Sequence, residues 1–273
     1  MGGRRRRLGV VGAHGTHTGM HGVMPFDMPL GLALLVALAA FLVGLSKGGL
    51  PVVAMLSVPI LALTMPPLEA AALLLPLYIA SDMVGVVIYR KRFSGRNLAI
   101  LIPASMLGIL FGWATAAVVP DRLISFLIGI VGIAFVLDIV RKRGRTAPPR
   151  PADVPRGVVW GSLAGFTSFV SHSGGPPYQV YVLPQRLEKL TFAGTSTILF
   201  AAINLAKLPA YWSLGQFTGP NLTLAFWMIP VSILGVLAGW KLVTVLPEKI
   251  FFRIVEIALF LVSLKLVVDA VRG

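Results

Sequence analysis

Two short runs hold the residues best suited to chemistry. Ser46-Lys47-Gly48-Gly49 sets a lysine beside a glycine pair inside an apolar segment. Ser171-His172-Ser173-Gly174-Gly175 sets a histidine between two serines, beside a second glycine pair. A lysine in apolar surroundings is costly unless it snorkels to headgroups, pairs, or faces a wet cavity; facing a cavity, it is a partner for an anion. Imidazole changes charge near neutral pH, so His172 is suited to anion binding or a coupled proton, with structural hydrogen bonding as the other reading. Serine hydroxyls and backbone amides freed at a helix break are donors for an anion, although serines also bond to their own helix backbone. The candidate substrate-binding set is therefore Ser46, Lys47, Gly48, Gly49, Ser171, His172, Ser173, Gly174 and Gly175, with Gln179 just beyond the second break. Tyr178 beside it lines the same space or simply packs.

Three further polar residues interrupt apolar runs. Asp82 lies within 68–89, and Asn204 and Lys207, three residues apart, share one face of a helix over 188–210. A carboxylate in such a run needs a partner, a proton or water. These three are coupling residues or supports for the binding set, with bracing of helix contacts as the alternative. Catalysis is not expected. The chain has no cysteine, no carboxylate near His172 to orient it in a triad, no metal-ligand spacing and no phosphate-binding Gly-x-x-x-x-Gly-Lys-Ser/Thr loop. No cofactor or metal is expected.

The elements that must position these residues are membrane helices. Of 273 residues, 56% are hydrophobic and only 12% charged, with a mean hydropathy of +0.86; a soluble domain carries about twice that charged fraction. Apolar stretches approach the roughly 20 residues needed to cross a hydrocarbon core. The expected fold is an all-α polytopic membrane protein. The net charge of +14 gathers in Arg4–Arg7, in Arg90, Lys91, Arg92 and Arg96, and in the tract from Arg141 to Arg156. These tracts flank apolar spans, as cytoplasmic loops do. No aromatic residues interleave to form a base-stacking platform, so nucleic acid is not an expected partner. The bilayer is.

The chain repeats itself. Asp82 precedes Tyr89 by seven residues, followed by Phe93-Ser94-Gly95-Arg96-Asn97-Leu98; Asn204 precedes Tyr211 by seven, followed by Phe217-Thr218-Gly219-Pro220-Asn221-Leu222. Gly108-Ile109-Leu110-Phe111-Gly112-Trp113 matches Gly235-Val236-Leu237-Ala238-Gly239-Trp240, and Pro120-Asp121-Arg122 matches Pro247-Glu248-Lys249. The two glycine-rich breaks occupy corresponding places. Repeated halves with broken helices at matching positions are transporter architecture.

The organisation expected is a polar leader over 1–28, either disordered or the product of a mis-assigned start with Met24 or Met28 as the true one; a first repeat over 29–140; a basic, Pro-rich cytoplasmic linker over 141–156; and a second repeat over 157–270. Clear crossings are 68–89, 98–119 and 121–140, then 188–210, 222–242 and 248–269. The segments 30–64 and 157–185 are each two short crossings or one re-entrant pair, giving eight to ten membrane segments. The loop 211–221 lacks the basic residues of its counterpart 90–97, while Arg186, Lys189, Lys241 and Lys249 border other turns. That switch favours an inverted repeat over a parallel four-plus-four arrangement.

The run Gly165-Phe166-Thr167-Ser168-Phe169-Val170-Ser171-His172-Ser173-Gly174-Gly175-Pro176-Pro177, continuing to Leu183-Pro184, resembles the second-half signature of the sulfite exporter TauE/SafE family. Gly44 to Pro59 resembles its opening motif, with Lys47 where further glycine is common. The likeness runs from about Pro29 to Val268. It implies a bacterial inner-membrane permease for small anions; sulfite, sulfoacetate and related organosulfur compounds are the family's named substrates. The functional expectation is thus a secondary transporter for sulfite, a sulfonate or a related anion, with protons as the coupling ion. An anion channel and a non-transport intramembrane assembly protein are the alternatives.

Overall fold

A computed structural model describes residues 28–61, 63–65, 67–115, 121–141, 148–213, 217 and 219–272. The expected leader falls almost wholly outside them, as do the middle of the linker and the turn at Pro120. Every regular element described is helical: α1 (Leu30–Lys47), a short 3-10 turn (Pro51–Leu56) running into α2 (Ser57–Leu61), α3 (Pro67–Tyr89), α4 (Gly95–Thr115), α5 (Asp121–Arg141), α6 (Val154–Ser171), α7 (Gly175–Val182) ending in a second 3-10 turn (Leu183–Gln185), α8 (Lys189–Ser213), α9 (Gly219–Val245) and α10 (Glu248–Arg272). Among the described residues, five helical stretches are long and apolar enough to cross a membrane: Leu30–Lys47, Ala72–Tyr89, Gly95–Thr115, Lys189–Ser213 and Asn221–Val245.

Burial is inverted relative to a soluble protein. Large apolar residues face outward, among them Leu107, Leu110 and Phe111 on α4, Phe226 and Leu234 on α9, and Ile257 and Leu261 on α10. The interior holds Ser81, Asp82, Ser105, Thr195, Asn204, Lys207 and Ser232. Such an exterior is stable against lipid tails, and polar side chains then face the bundle interior. This is a multi-pass membrane protein. Trp113, Trp212, Trp227 and Trp240 all project outward, consistent with anchoring at the interface.

Two helix crossings rest on glycines. On α1, a Cβ at Gly44 would lie 1.7 Å from the Ser232 carbonyl oxygen of α9, and one at Gly235 would lie 2.2 Å from the Phe41 oxygen of α1. On α4 and α6 the same device recurs: a Cβ at Gly108 would lie 2.0 Å from the Ser162 oxygen, and one at Gly165 2.1 Å from the Ser105 oxygen. Backbones this close admit only glycine, the usual solution where helices associate without a hydrophobic driving force.

The ends of the helices are tied together at one pole of the bundle. Arg96 Nε donates to the Ala152 oxygen at 2.8 Å, and Asn97 and Gln185 exchange amide hydrogen bonds at 2.8 and 3.1 Å. Lys189 Nζ donates to the Thr244 oxygen at 3.1 Å and also to the Leu246 oxygen. Arg92 lies 3.7 Å from Glu188. The C-terminus of α3, the N-termini of α4, α6 and α8, and the C-terminus of α9 therefore share that pole. So α3 and α8 run in opposite directions, and so do α4 and α9.

Helix α6 begins at Val154, inside the stretch read as linker, because Asp153 accepts from the Arg156 amide at 3.0 Å and Pro155 suits the first turn. The segment 157–185 folds back on itself: α6 leaves the basic pole and α7 returns to it, where Tyr181 donates to the Asp153 oxygen at 2.9 Å. With 8 residues, α7 spans about 12 Å and cannot cross the core alone.

Candidate functional site

Each broken helix stops where a left-handed or glycine-only conformation intervenes. After α1, Gly49 has φ 125°; after α6, His172 has φ 53°. In the second half the break thus falls on His172-Ser173 and not on the glycine pair. Gly174 caps α7 and Gly175 begins it. Gly174 serves close packing instead: a Cβ there would lie 2.7 Å from the Ala164 oxygen and 2.9 Å from the Phe200 ring. Gly48 likewise admits α9, where a Cβ would lie 2.4 Å from the Val236 oxygen.

The breaks release carbonyls, and neighbouring side chains claim them. Thr197 donates to the Lys47 oxygen at 3.0 Å, Tyr89 to the Gly48 oxygen, and Thr167 to the Ser173 oxygen at 3.2 Å. Freed amides are scarcer than the sequence suggested. Ser173 N–H bonds back to the Thr167 oxygen at 3.1 Å, and Pro176 and Pro177 bring no N–H to the start of α7. The positive charge of the site rests on side chains.

Those side chains form one buried chain. Lys47 Nζ lies 2.8 Å from Asp82 Oδ1. Asn204 Nδ2 donates to Asp82 Oδ2 at 2.7 Å, and its Oδ1 lies 3.5 Å from Lys207 Nζ. Lys207 Nζ lies 3.4 Å from His172 Nδ1, and His172 Nε2 lies 3.0 Å from the Tyr211 hydroxyl. Tyr78 stacks on His172 with centroids 5.7 Å apart. Lys47 Nζ sits 5.1 Å from the Tyr78 ring centre and 5.6 Å from that of Phe200, within cation–π range. Lys47, Asp82 and Lys207 are the charged side chains buried among the described residues, and Lys207 has no exposed surface.

Beside this chain lies a small cavity. Its walls include Ser46, Lys47 and Pro51 from the first break, Ser168, His172 and Gly175 from the second, and Tyr78, Ser196, Thr197, Phe200 and Asn204 from α3 and α8. The space open to water centres is about 30 Å³, room for about two waters. The two breaks, far apart in sequence, meet at one site.

Placement differs among the expected residues. Lys47 lines the cavity and pairs with Asp82, two of the alternatives open to a lysine in apolar surroundings; Lys207, expected in support, has the longer contacts. Ser46 lines the cavity with its hydroxyl committed to the Val43 oxygen at 2.6 Å. Ser173 is buried outside the cavity wall, as are Gly48, Gly49 and Gly174. Gln179 is fully buried on α7, away from the cavity, with neither amide atom hydrogen-bonded. Tyr178 packs against Phe192 and donates to its oxygen at 3.1 Å. The side chain of Ser171 falls outside the described residues. Among the described residues no group of three metal-ligating side chains occurs.

Reading the sequence by motif missed Tyr78, Ser196, Phe200 and Tyr211. A helical face would have found them: Ser196, Phe200, Asn204, Lys207 and Tyr211 fall three or four apart on α8, and Tyr78 lies one turn before Asp82.

The sequence matches the sulfite exporter TauE/SafE family over residues 32–266. The chain belongs to that family. The match spans both broken helices, the paired glycine crossings and the buried chain, so these features lie in the family's membrane-transporter core. No curated protein and no solved structure matches the TauE/SafE chain.

Proposed function

We propose that this protein is a secondary transporter that carries a small anion across a bacterial inner membrane, with sulfite, a sulfonate or a related organosulfur anion as cargo. The observation that carries the reading is the charge inventory beside the cavity: two buried lysines, Lys47 and Lys207, against one carboxylate, Asp82. An excess cation removed from water is costly until a counter-charge arrives, and an anion entering between the breaks supplies one. The same inventory disfavours cations. His172 is the imidazole on the cavity wall, and we assign it any coupled proton.

Alternating access follows from an inverted repeat of eight to ten membrane segments, counting α5, α6, α10 and the short broken pieces. Repeat mates α3 and α8 run oppositely, as do α4 and α9. The α1–α9 and α4–α6 crossings use corresponding glycines, and the basic loops gather at one pole. These relations support a pseudo-two-fold axis in the membrane plane, with the basic pole cytoplasmic.

The test is uptake by the purified protein in liposomes, across a panel of sulfite, sulfonates, sulfate, carboxylates and simple cations. Saturable counterflow of sulfite or a sulfonate is expected. Movement of cations alone would sink the substrate class, and fluxes on the scale of ionic currents would replace the carrier by a channel. No flux of any solute would favour an assembly protein.

A further inference from the structure

Asp82 is the one buried carboxylate in a cluster otherwise built to attract anions, and it occupies Lys47 at 2.8 Å. His172 adds no charge here. Its Nδ1 faces Lys207 Nζ at 3.4 Å; with Lys207 as an ammonium, which only donates, Nδ1 accepts and the ring proton sits on Nε2 toward Tyr211. With both lysines protonated and Asp82 ionised, the buried side chains sum to a single positive charge.

We propose that Asp82 is a specificity residue that sets the charge of the accepted anion at one. This inference rests on the anion-transport reading above. A monoanion brings the cluster to neutrality. A dianion of the same shape overshoots it, leaving a net negative charge in surroundings that solvate it poorly, beside a carboxylate that repels it. Asp82 acts as a built-in anion: it uses the charge of one lysine, so that only the second remains for cargo. Asn204 makes the division possible, since its Nδ2 holds Asp82 at 2.7 Å while its Oδ1 faces Lys207. At the position corresponding to Asp82, the second half has an amide, so the repeat itself provides one carboxylate and not two.

Methanesulfonate and sulfate are the probes, because both are tetrahedral at sulfur and their charges, minus one and minus two, do not change near neutral pH. Each is tested as a competitor of sulfite uptake by the full chain in liposomes. The wild-type protein is expected to bind methanesulfonate at least about tenfold more tightly than sulfate, a difference of about 1.4 kcal/mol. Asp82→Asn keeps an acceptor for its neighbours and raises the excess to two, so the ratio should shift toward sulfate by at least about tenfold. Combining Asp82→Asn with Lys207→Gln restores a single charge and should return the preference to methanesulfonate, a reversal that a merely structural role for Asp82 does not predict. An unchanged ratio in Asp82→Asn, a double variant that still prefers sulfate, or a wild type that neither probe inhibits overturns the inference. If Asp82→Asn fails to reconstitute, Lys207→Gln alone decides: it removes the excess charge, and methanesulfonate competition at wild-type strength overturns the inference. A wild type that moves no anion at all overturns the transport reading itself.

Discussion

Asp82 and Asn204, each seven residues before a tyrosine, touch: Asn204 Nδ2 donates to Asp82 Oδ2 at 2.7 Å across a separation of 122 residues. On the proposed inverted repeat, this contact lies close to the axis relating the halves. The buried chain continues to both sides of this bond, to Lys47 from the first break and through Lys207 to His172 from the second. One bond thus joins the two halves at the point where cargo is expected.

Removing Lys47 should injure the fold as well as transport. In Lys47→Met the Asp82 carboxylate stays buried without its ion partner, which costs about 3–5 kcal/mol. The double variant Lys47→Met/Asp82→Asn should recover much of that loss without recovering anion uptake. Thermal melting in detergent measures the first effect and liposome uptake the second; a double variant as unstable as Lys47→Met would refute the pairing argument.

The two glycine crossings should be equally intolerant. Gly44→Leu and Gly108→Leu each drive a side chain into a facing carbonyl, and overpacking costs about 1–3 kcal/mol or more. Gly31, with nothing within 4 Å of an added Cβ, is the control. Folded yield by fluorescence size exclusion should fall for both crossing variants and stay unchanged in Gly31→Leu.

Tyr89 and Tyr211, seven residues after Asp82 and Asn204, have parallel duties, one holding the Gly48 carbonyl and the other the His172 ring. Tyr89→Phe leaves a buried carbonyl short of its donor, at a cost of about 1–3 kcal/mol. Its main effect should be on melting temperature. Tyr211→Phe frees His172 Nε2 and should alter anion affinity with a smaller change in stability. Identical profiles for the two variants would argue against this division.

The chain contains no cysteine, so single cysteines report access directly. Ser168→Cys and Ser46→Cys flank the cavity from the two breaks. Saturating substrate should slow labelling of both by a membrane-permeant thiol reagent. Protection of one without the other would separate the two breaks into different sites.

Much of this architecture was legible in the amino-acid order. Long apolar runs can satisfy their backbone groups in lipid only as helices, so α3, α4, α8 and α9 follow from local sequence. The recurring Asp/Asn, Tyr and Gly spacing is what pairs α3 with α8 and α4 with α9 in the proposed repeat. The basic loops indicated which ends share a side, because positive charge resists translocation, and the bundle gathers those ends at one pole. What the order of residues leaves open is who pairs with whom. Lys47 reads in its own motif as a snorkelling, paired or cavity-facing lysine, and only the packing of α1 against α3 brings it to Asp82. Lys207 reads as support, and becomes the excess charge only because Asn204 and Asp82 intervene between it and Lys47. The glycine pair Gly174-Gly175 reads as the helix break, yet the left-handed turn falls on His172, and Gly174 is needed where Ala164, Ser168 and Phe200 press against the start of α7. Local sequence sets backbone preference and polarity over a few residues. Charge balance belongs to groups within a few ångströms of each other in space, and those neighbours come from three helices and the turn after α6.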